Sequence, residues 1–459
     1  MPTASQLALE IRITAIALVV VLALASCGGE SGQSSSSSAT HTVAGTVTGI
    51  SANRSVVLQL NAGNNKVVSG SGNFSFTTAA NDYSITILSH PGDQPCSSTY
   101  AQGTLQSSDV DDVSVFCGPP AVGSFVAGGS LNVAREYHTA TLLKDGRVLV
   151  VGGDDGNSVL SSAEIYDPST DAWTLVESLG TARELHTATL LPNGKVLVAG
   201  GIEVGGGILN STEIYDPVSN IWAPGSPLRV AREFHAATPL SDGRILVTGG
   251  YSSPATVEST AELYDPTSNT WTLGASFTNA RSIHTATKLS GGRVLIAGGW
   301  GGAGQISSAE VYDSESNSWS EVASMASPRS YHTATILPNG RVLVAGGYDS
   351  GFALADAEIF DPTSNTWSST GQLTNVRYQH FSILLPTGQV LAVGGNDQGG
   401  NRTQTTDLYD PTTNTWASGA NLSVARVATT TTRLNSGEVL VCGGLSTTGY
   451  VTATTFLYW

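Results

Sequence analysis

The sequence predicts an all-β protein in which a small β-sandwich precedes a closed ring of seven four-stranded sheets. Three observations carry that expectation. An arginine recurs at Arg135, Arg183, Arg232, Arg281, Arg329, Arg377 and Arg426, in steps of 48 or 49 residues. A glycine pair recurs with it, at Gly152-Gly153, Gly200-Gly201, Gly249-Gly250, Gly298-Gly299, Gly346-Gly347, Gly394-Gly395 and Gly443-Gly444. The last copy stops at Trp459, short of its fourth strand, and a segment just before the first copy has the pattern of the missing strand. A period of this length means stacked units, because one such unit cannot bury both of its faces alone.

Taken in order, the first 27 residues read as an export segment. Ile13 to Ser26 is apolar apart from Thr14 and ends Leu24-Ala25-Ser26-Cys27. The run is short for a membrane span. Its ending resembles the lipobox of bacterial lipoproteins. That resemblance implies cleavage before Cys27, acylation of Cys27 and, with Gly28 rather than an aspartate following, delivery to the outer membrane. An ordinary cleaved signal and a membrane anchor are the other readings of such a run. Residues 28–40 include Ser34 to Ser38 in succession and read as a flexible tether with nothing to bury.

Residues 41–118 read as the small β domain. Val43, Val47, Val56, Leu58, Leu60, Phe74, Phe76, Tyr83, Ile85 and Ile87 alternate with polar residues, the period of half-buried strands. The stretch resembles the Ig-like or transthyretin-like sandwiches that precede surface domains in exported bacterial proteins. Cys96 and Cys117 are its only cysteines, and in an oxidising compartment they are expected to pair. The bridge would close a loop of about twenty residues and contribute about 3 kcal/mol.

In the first ring unit, His138 to Leu143 is rich in Thr and Leu and reads as a first strand. Lys144-Asp145-Gly146 makes a tight turn, replaced by Pro-Asn-Gly at 192–194 and 338–340. Arg147 to Val151 is aliphatic, as in a strand covered on both faces. Glu164 to Tyr166 supplies a third strand, Asp167-Pro168 starts the next turn, and Trp173 opens a fourth strand. The tyrosine recurs at Tyr215, Tyr264, Tyr312, Tyr409 and Tyr458, with Phe360 in the fifth copy, and the tryptophan at Trp222, Trp271, Trp319, Trp367 and Trp416. Phe125 precedes Leu131 by the same interval that separates Trp173 from Leu179. Residues 124–131 are therefore expected as the outer strand of the seventh sheet, which closes the ring and removes an unpaired edge. The double glycine, tyrosine and tryptophan at fixed offsets resemble the kelch motif. The resemblance spans roughly residues 124–459 and implies a seven-bladed kelch β-propeller.

Little in the chain points to catalysis. The formal charge of −16 and a pI near 4.8 argue against nucleic acid and anionic lipid as partners. No Ser-His-Asp set, phosphate loop or catalytic carboxylate pair stands out. His138, His186, His235, His284, His332 and His380 share one register, with Thr429 in the seventh copy. A residue repeated in nearly every copy is expected to pack blades, and such spacing is too wide for a shared metal ion. The arginines are read the same way, with Glu164, Glu213, Glu262, Glu310 and Glu358 as candidate partners. Asp154-Asp155 and Asn396-Asp397 read as loop turns in preference to calcium sites. Cys442 reads as core filler. No metal and no cofactor is expected.

Recognition is expected where the copies differ. The kelch resemblance implies two sets of positions around the central face. One follows each glycine pair: Asp154, Ile202, Tyr251, Trp300, Tyr348, Asn396 and Leu445. The other lies two after each arginine: Tyr137, Leu185, Phe234, Ile283, Tyr331, Gln379 and Ala428. Their aromatics, Tyr251, Trp300, Tyr348, Phe234, Tyr331 and Tyr137, are the candidate binding residues, suited to protein or to sugar rings. Packing on the next blade is the other use for an aromatic there. The expected function is a lipid-anchored, non-catalytic propeller that binds a protein or glycan in the bacterial cell envelope, facing the periplasm or the surface. The alternative is a carbohydrate-active enzyme, either a sugar mutarotase or epimerase or a galactose-oxidase-like oxidase. Galactose oxidase builds its copper site from two Tyr, two His and a Cys linked to one Tyr. The only cysteine of this ring is Cys442, in a core strand, so that chemistry is not expected. A spacer in a larger envelope complex is a third reading.

Overall fold

A computed structural model describes residues 40–48, 50, 55–80, 82–89, 96–99, 102–104, 110–117 and 123–459 except 448. The expected leader, the acylation site Cys27 and the serine run lie outside the described residues. Among the described residues every regular element is a strand, and none forms a helix long and apolar enough to cross a membrane. The chain divides into two compact units, one ending at Pro120 and the other beginning at Ala121.

The first unit holds two four-stranded sheets. In one, His41–Thr48 lies between Gly72–Thr78, antiparallel, and Val110–Cys117, parallel, with Cys96–Thr99 beyond. In the other, Ser55–Leu60 lies between Asn64–Ser69 and Asp82–Ser89, with Gln102–Thr104 at the edge. The alternating apolar residues of both sheets, among them Val43, Val47, Leu58, Phe74, Phe76, Tyr83 and Ile85, share one core. Ile87 is only partly buried against it. The first strand bulges at Gly45, where a Cβ would stand 1.9 Å from the Val113 carbonyl oxygen. That close approach admits only glycine. Cys96 lies opposite Cys117 in the ladder, and a disulfide joins them.

The second unit is built from four-stranded antiparallel sheets, here called blades. The first contains Thr139–Leu142, Val148–Val151, Ala163–Asp167 and Ala172–Val176 in spatial order. Five further blades repeat it, and one more is completed by a strand from the start of this unit. The second strands, such as Val148–Val151, Val196–Ala199 and Ile245–Thr248, are buried at all their positions, save for half-buried Arg293 at the start of Arg293–Ala297. They are sandwiched between neighbouring blades, which explains their aliphatic runs. The first strands touch in a cycle that returns from the last blade to the first. On the outside the repeat tyrosine meets the repeat tryptophan, as in Tyr166–Trp173 at 5.1 Å and Tyr264–Trp271 at 5.0 Å between ring centroids.

The closing blade takes its fourth strand from the start of the unit. Thr455–Tyr458 pairs antiparallel with Phe125–Gly128, Tyr458 opposite Phe125. The two rings stand 4.8 Å apart, so Phe125 fills the tryptophan position of its blade. The pairing continues through Trp459, whose amide donates to the Ser124 carbonyl and whose own carbonyl accepts from Gly123.

Each arginine locks a corner of its blade. Arg135 is fully buried. It donates to the carbonyls of Gly152 and Ser162, to the Ser162 hydroxyl and to Glu164, the last at 2.8 Å. Glu164 also accepts the amides of Asn132 and Val133, on the connection into the blade. One ion pair thus ties the glycine corner, the third strand and the incoming chain, with every charge hydrogen-bonded. Glu213, Glu262, Glu310 and Glu358 repeat the arrangement. Asp407 takes the role in the sixth blade. In the seventh, Arg426 has no carboxylate partner among the described residues and lies over Phe456, 4.5 Å from the ring centroid. Burial pushes its pKa down to about 10.

Candidate functional site around the ring axis

The glycine corners, the arginines and the histidines gather at one end of the ring, the loop face. Gly152 and Gly153 have φ of +60° and +95°. A Cβ on Gly152 would stand 2.4 Å from the Arg183 carbonyl oxygen and 2.8 Å from His186 Cε1 of the next blade. The absent side chain is what allows the blades to close on each other.

The histidines occupy that space and join neighbours. His186 Nε2 bonds the Thr139 hydroxyl of the preceding blade at 3.0 Å, and His138 bonds Thr430 across the ring closure at 3.0 Å. His235, His332 and His380 make the same bond to Thr187, Thr285 and Thr333, while His284, which faces Ala236 at that register, bonds Thr248 at the end of the second strand instead. Burial, then the adjacent arginines, pushes the pKa of His138, His235 and His332 down to about 3. These imidazoles are neutral staples between blades. Among the described residues no three His, Cys, Asp or Glu side chains gather as a metal site.

The residues two after each arginine form an inner circle. All of them, Tyr137, Leu185, Phe234, Ile283, Tyr331, Gln379 and Ala428, have φ between +51° and +56°. That backbone costs roughly 1 kcal/mol for each non-glycine residue. It turns five of the seven amides onto a carbonyl of the previous blade. Leu185 donates to Tyr137, Phe234 to Leu185, Ile283 to Phe234, Gln379 to Tyr331 and Tyr137 to Ala428, at 3.0 to 3.4 Å. A circlet of main chain therefore surrounds the axis. Inside it lies a cavity of about 270 Å³, lined by Tyr137, Phe234, Ile283, Tyr331, Gln379 and Ala428 with His235, His284, His332 and His380.

The residue after each glycine pair bridges, by backbone, to the residue directly after the arginine. Examples are Glu233 with Tyr251, Ser282 with Trp300, Ser330 with Tyr348 and Tyr378 with Asn396. This register brings five rings into a continuous chain. Tyr251 meets Phe234 at 6.5 Å, Phe234 meets Tyr331 at 6.4 Å, Tyr331 meets Tyr378 at 6.3 Å, and Tyr378 meets Tyr348 at 5.0 Å. Four of the six expected aromatics are thus brought together. Tyr137 lines the cavity, while half-buried Trp300 stands apart from the chain of rings. Tyr251 is itself only 3% exposed, so part of its role is packing. Tyr378, the link between the two ends, is not among the sequence-derived candidates. It occupies the position after the arginine, which the other copies fill with Glu136, Glu184, Glu233, Ser282, Ser330 and Val427.

Glu233 stands beside this chain of rings. It is 2% exposed, and burial alone pushes its carboxyl up to about 7. Asp154 and Asp155 accept the amides of Gly156, Asn157 and Ser158, as acids in turns do.

Residues 138–357 match the family model of the Attractin/LZTR1 beta-propeller, and residues 379–423 match the Kelch motif. The chain is a kelch-repeat β-propeller protein. Among solved structures, this kelch protein is similar to a fungal alcohol oxidase of the AA5 family in complex with copper. The identity is 18% over 74% of this chain and 76% of that one, with a TM-score of 0.61. It is also similar to YjhT, at 16% identity over 63% of this chain and 98% of that one, with a TM-score of 0.51. Both likenesses concern the fold of the propeller. Among curated proteins, none matches the chain by sequence. The Cys442 thiol is 1% exposed in a core strand, 3.0 Å from the Thr430 hydroxyl.

Proposed function

We propose that this propeller is a non-catalytic binding protein of the bacterial cell envelope, held to the outer membrane through acylated Cys27, and that its loop face engages a protein or glycan ligand. The observation that carries the reading is the chain of aromatic rings from Tyr251 to Tyr348 beside an axial cavity of about 270 Å³. Rigid aromatic side chains with a polar edge make good anchors at low entropic cost. The scaffold beneath them is held by buried ion pairs and histidine staples, so the loop-face side chains are presented from a fixed frame.

The test uses the full chain in detergent, screened against a glycan array and solubilised envelope proteins. Tyr348→Ala combined with Tyr378→Ala removes the half-buried end of the chain of rings and spares Tyr251. Binding that the double variant loses by about tenfold or more supports the loop face as the site. Undiminished binding by the variant, or no ligand in either screen, overturns the reading. Labelling with radioactive palmitate checks the anchor, with Cys27→Ser as the variant expected to stay unlabelled.

A further inference from the structure

We propose that the loop face between the third and fourth blades is a receptor for a primary ammonium group, presented by a lysine side chain of a partner protein. This inference rests on the binding reading above and names the chemistry of the ligand.

Three buried oxygen-bearing groups meet there. Glu233 is 2% exposed, Tyr251 3% and Ser282 fully buried. Glu233 bridges to Tyr251 by backbone. The Tyr251 and Ser282 hydroxyls are neighbours, and Tyr251 and Tyr331 both sense the Glu233 charge. Neither hydroxyl has a hydrogen-bond partner of good geometry. Nothing offsets the burial of the Glu233 carboxyl. The adjacent Arg232 directs its guanidinium away, to Gly249, Thr260 and Glu262. An unpaired carboxyl in such a place is costly. An ammonium carries three donors and no acceptor. It would give one hydrogen to each oxygen and supply the missing charge.

The surrounding rings favour a cation over a sugar. Their planes cross at 75° for Phe234 and Tyr251, 87° for Phe234 and Tyr331, 55° for Tyr331 and Tyr378, and 53° for Tyr348 and Tyr378. Coplanar rings would pave a platform for a pyranose. Crossed rings enclose a small group, and ring faces attract positive charge. The axial cavity adjoins these rings, since half-buried Phe234 and Tyr331 line it and Phe234 also meets Tyr251. Blades one and two carry Glu136 and Glu184 at the register of Glu233, and the whole chain has a charge of −16, so a basic partner is drawn to this protein. Arg402 stands by Tyr378 in the sixth blade, at the other end of the chain of rings. The titratable groups facing Glu233 are the phenols Tyr251 and Tyr331, both with pKa raised by burial.

The test is calorimetric titration of the full chain in detergent with a short peptide bearing one free lysine amine, beside the same peptide acetylated on Nζ. The unmodified peptide is expected to bind at least about tenfold more tightly at pH 8. Its affinity is expected to fall by about tenfold at pH 5.5, where the Glu233 carboxyl takes up a proton. Glu233→Gln should abolish both preferences. Should that variant fail to fold, the acetylation and pH arms decide the matter with the natural chain. Equal affinity for the two peptides, affinity independent of pH, or no binding of either overturns the inference. A glucosamine tetramer that binds where the peptide does not would overturn the assigned partner. A ligand lost in the Tyr348/Tyr378 double variant yet indifferent to its amine would leave the binding reading standing and remove this one.

Discussion

Seven arginines hold seven blades, yet they differ in what their loss would leave behind. Arg281→Met would strand Glu310, buried and still accepting the amides of Thr278 and Asn279, and is expected to cost about 3–5 kcal/mol. Arg426→Met strands no carboxylate, because Phe456 stands in that place, and should cost distinctly less. Urea unfolding of the two variants against the natural chain gives the comparison, and equal losses would contradict this account of the ion pairs. Glu233 and the histidines carry opposite pH signatures. The histidine pKa values are depressed on folding, so their contribution is present above about pH 6.5 and lost as pH falls. Each costs about 1.4 kcal/mol one pH unit below that value. The Glu233 pKa is raised, so its contribution is greatest below its unfolded value and is lost as pH rises through about 7. The histidines dominate the natural chain's acid response. The effect of Glu233 must therefore be read as a difference, and Glu233→Gln is expected to gain about 2 kcal/mol on the natural chain between pH 5.5 and pH 8 in urea titrations.

Among the elements, the disulfide acts on one unit alone. It pins the short strand Cys96–Thr99 to Val110–Cys117 and closes a loop with a sequence separation of 21. Its reduction should remove about 3 kcal/mol from the small sandwich. All eight tryptophans lie within the ring. Reduction is therefore expected to shift the circular-dichroism transition and leave the tryptophan-fluorescence transition in place; a joint shift would show that the units unfold together. The strands of the ring are legible in the sequence because each blade repeats one pattern under one constraint, burial between neighbours. The parallel pairing of His41–Thr48 with Val110–Cys117 is not legible, since period-two alternation marks which face is buried and leaves strand direction open. Asp407 escapes a search for glutamates because Thr374 donates its hydroxyl to this shorter carboxylate. Tyr378 escapes because the bridge to Asn396, and not its own position in the repeat, sets it beside Tyr348. The left-handed circlet is equally silent in sequence, since Tyr, Leu, Phe, Ile, Gln and Ala share a conformation usually left to Gly or Asn.

At the scale of the whole molecule, the ring is a cycle of similar interfaces in which only one joint is not covalent. That joint is visible in the sequence through the spacing of Phe125 and Leu131, and it consists of four residue pairs, from Tyr458 opposite Phe125 to Thr455 opposite Gly128. The first and last residues of the ring unit leave from the same end of that ladder. A force applied between them would load the bonds of Trp459 to Gly123 and Ser124 first, then the Phe125–Tyr458 pair and the other pairs one after another, as a zipper is opened. It would not strain all four together. With handles before Gly123 and after Trp459, optical-tweezer pulling is expected to show an early, low-force event of small extension before any blade unravels. A single high-force rupture would contradict it. Mechanically, this propeller is a ring with a clasp, and tension between its two ends bears first on the clasp.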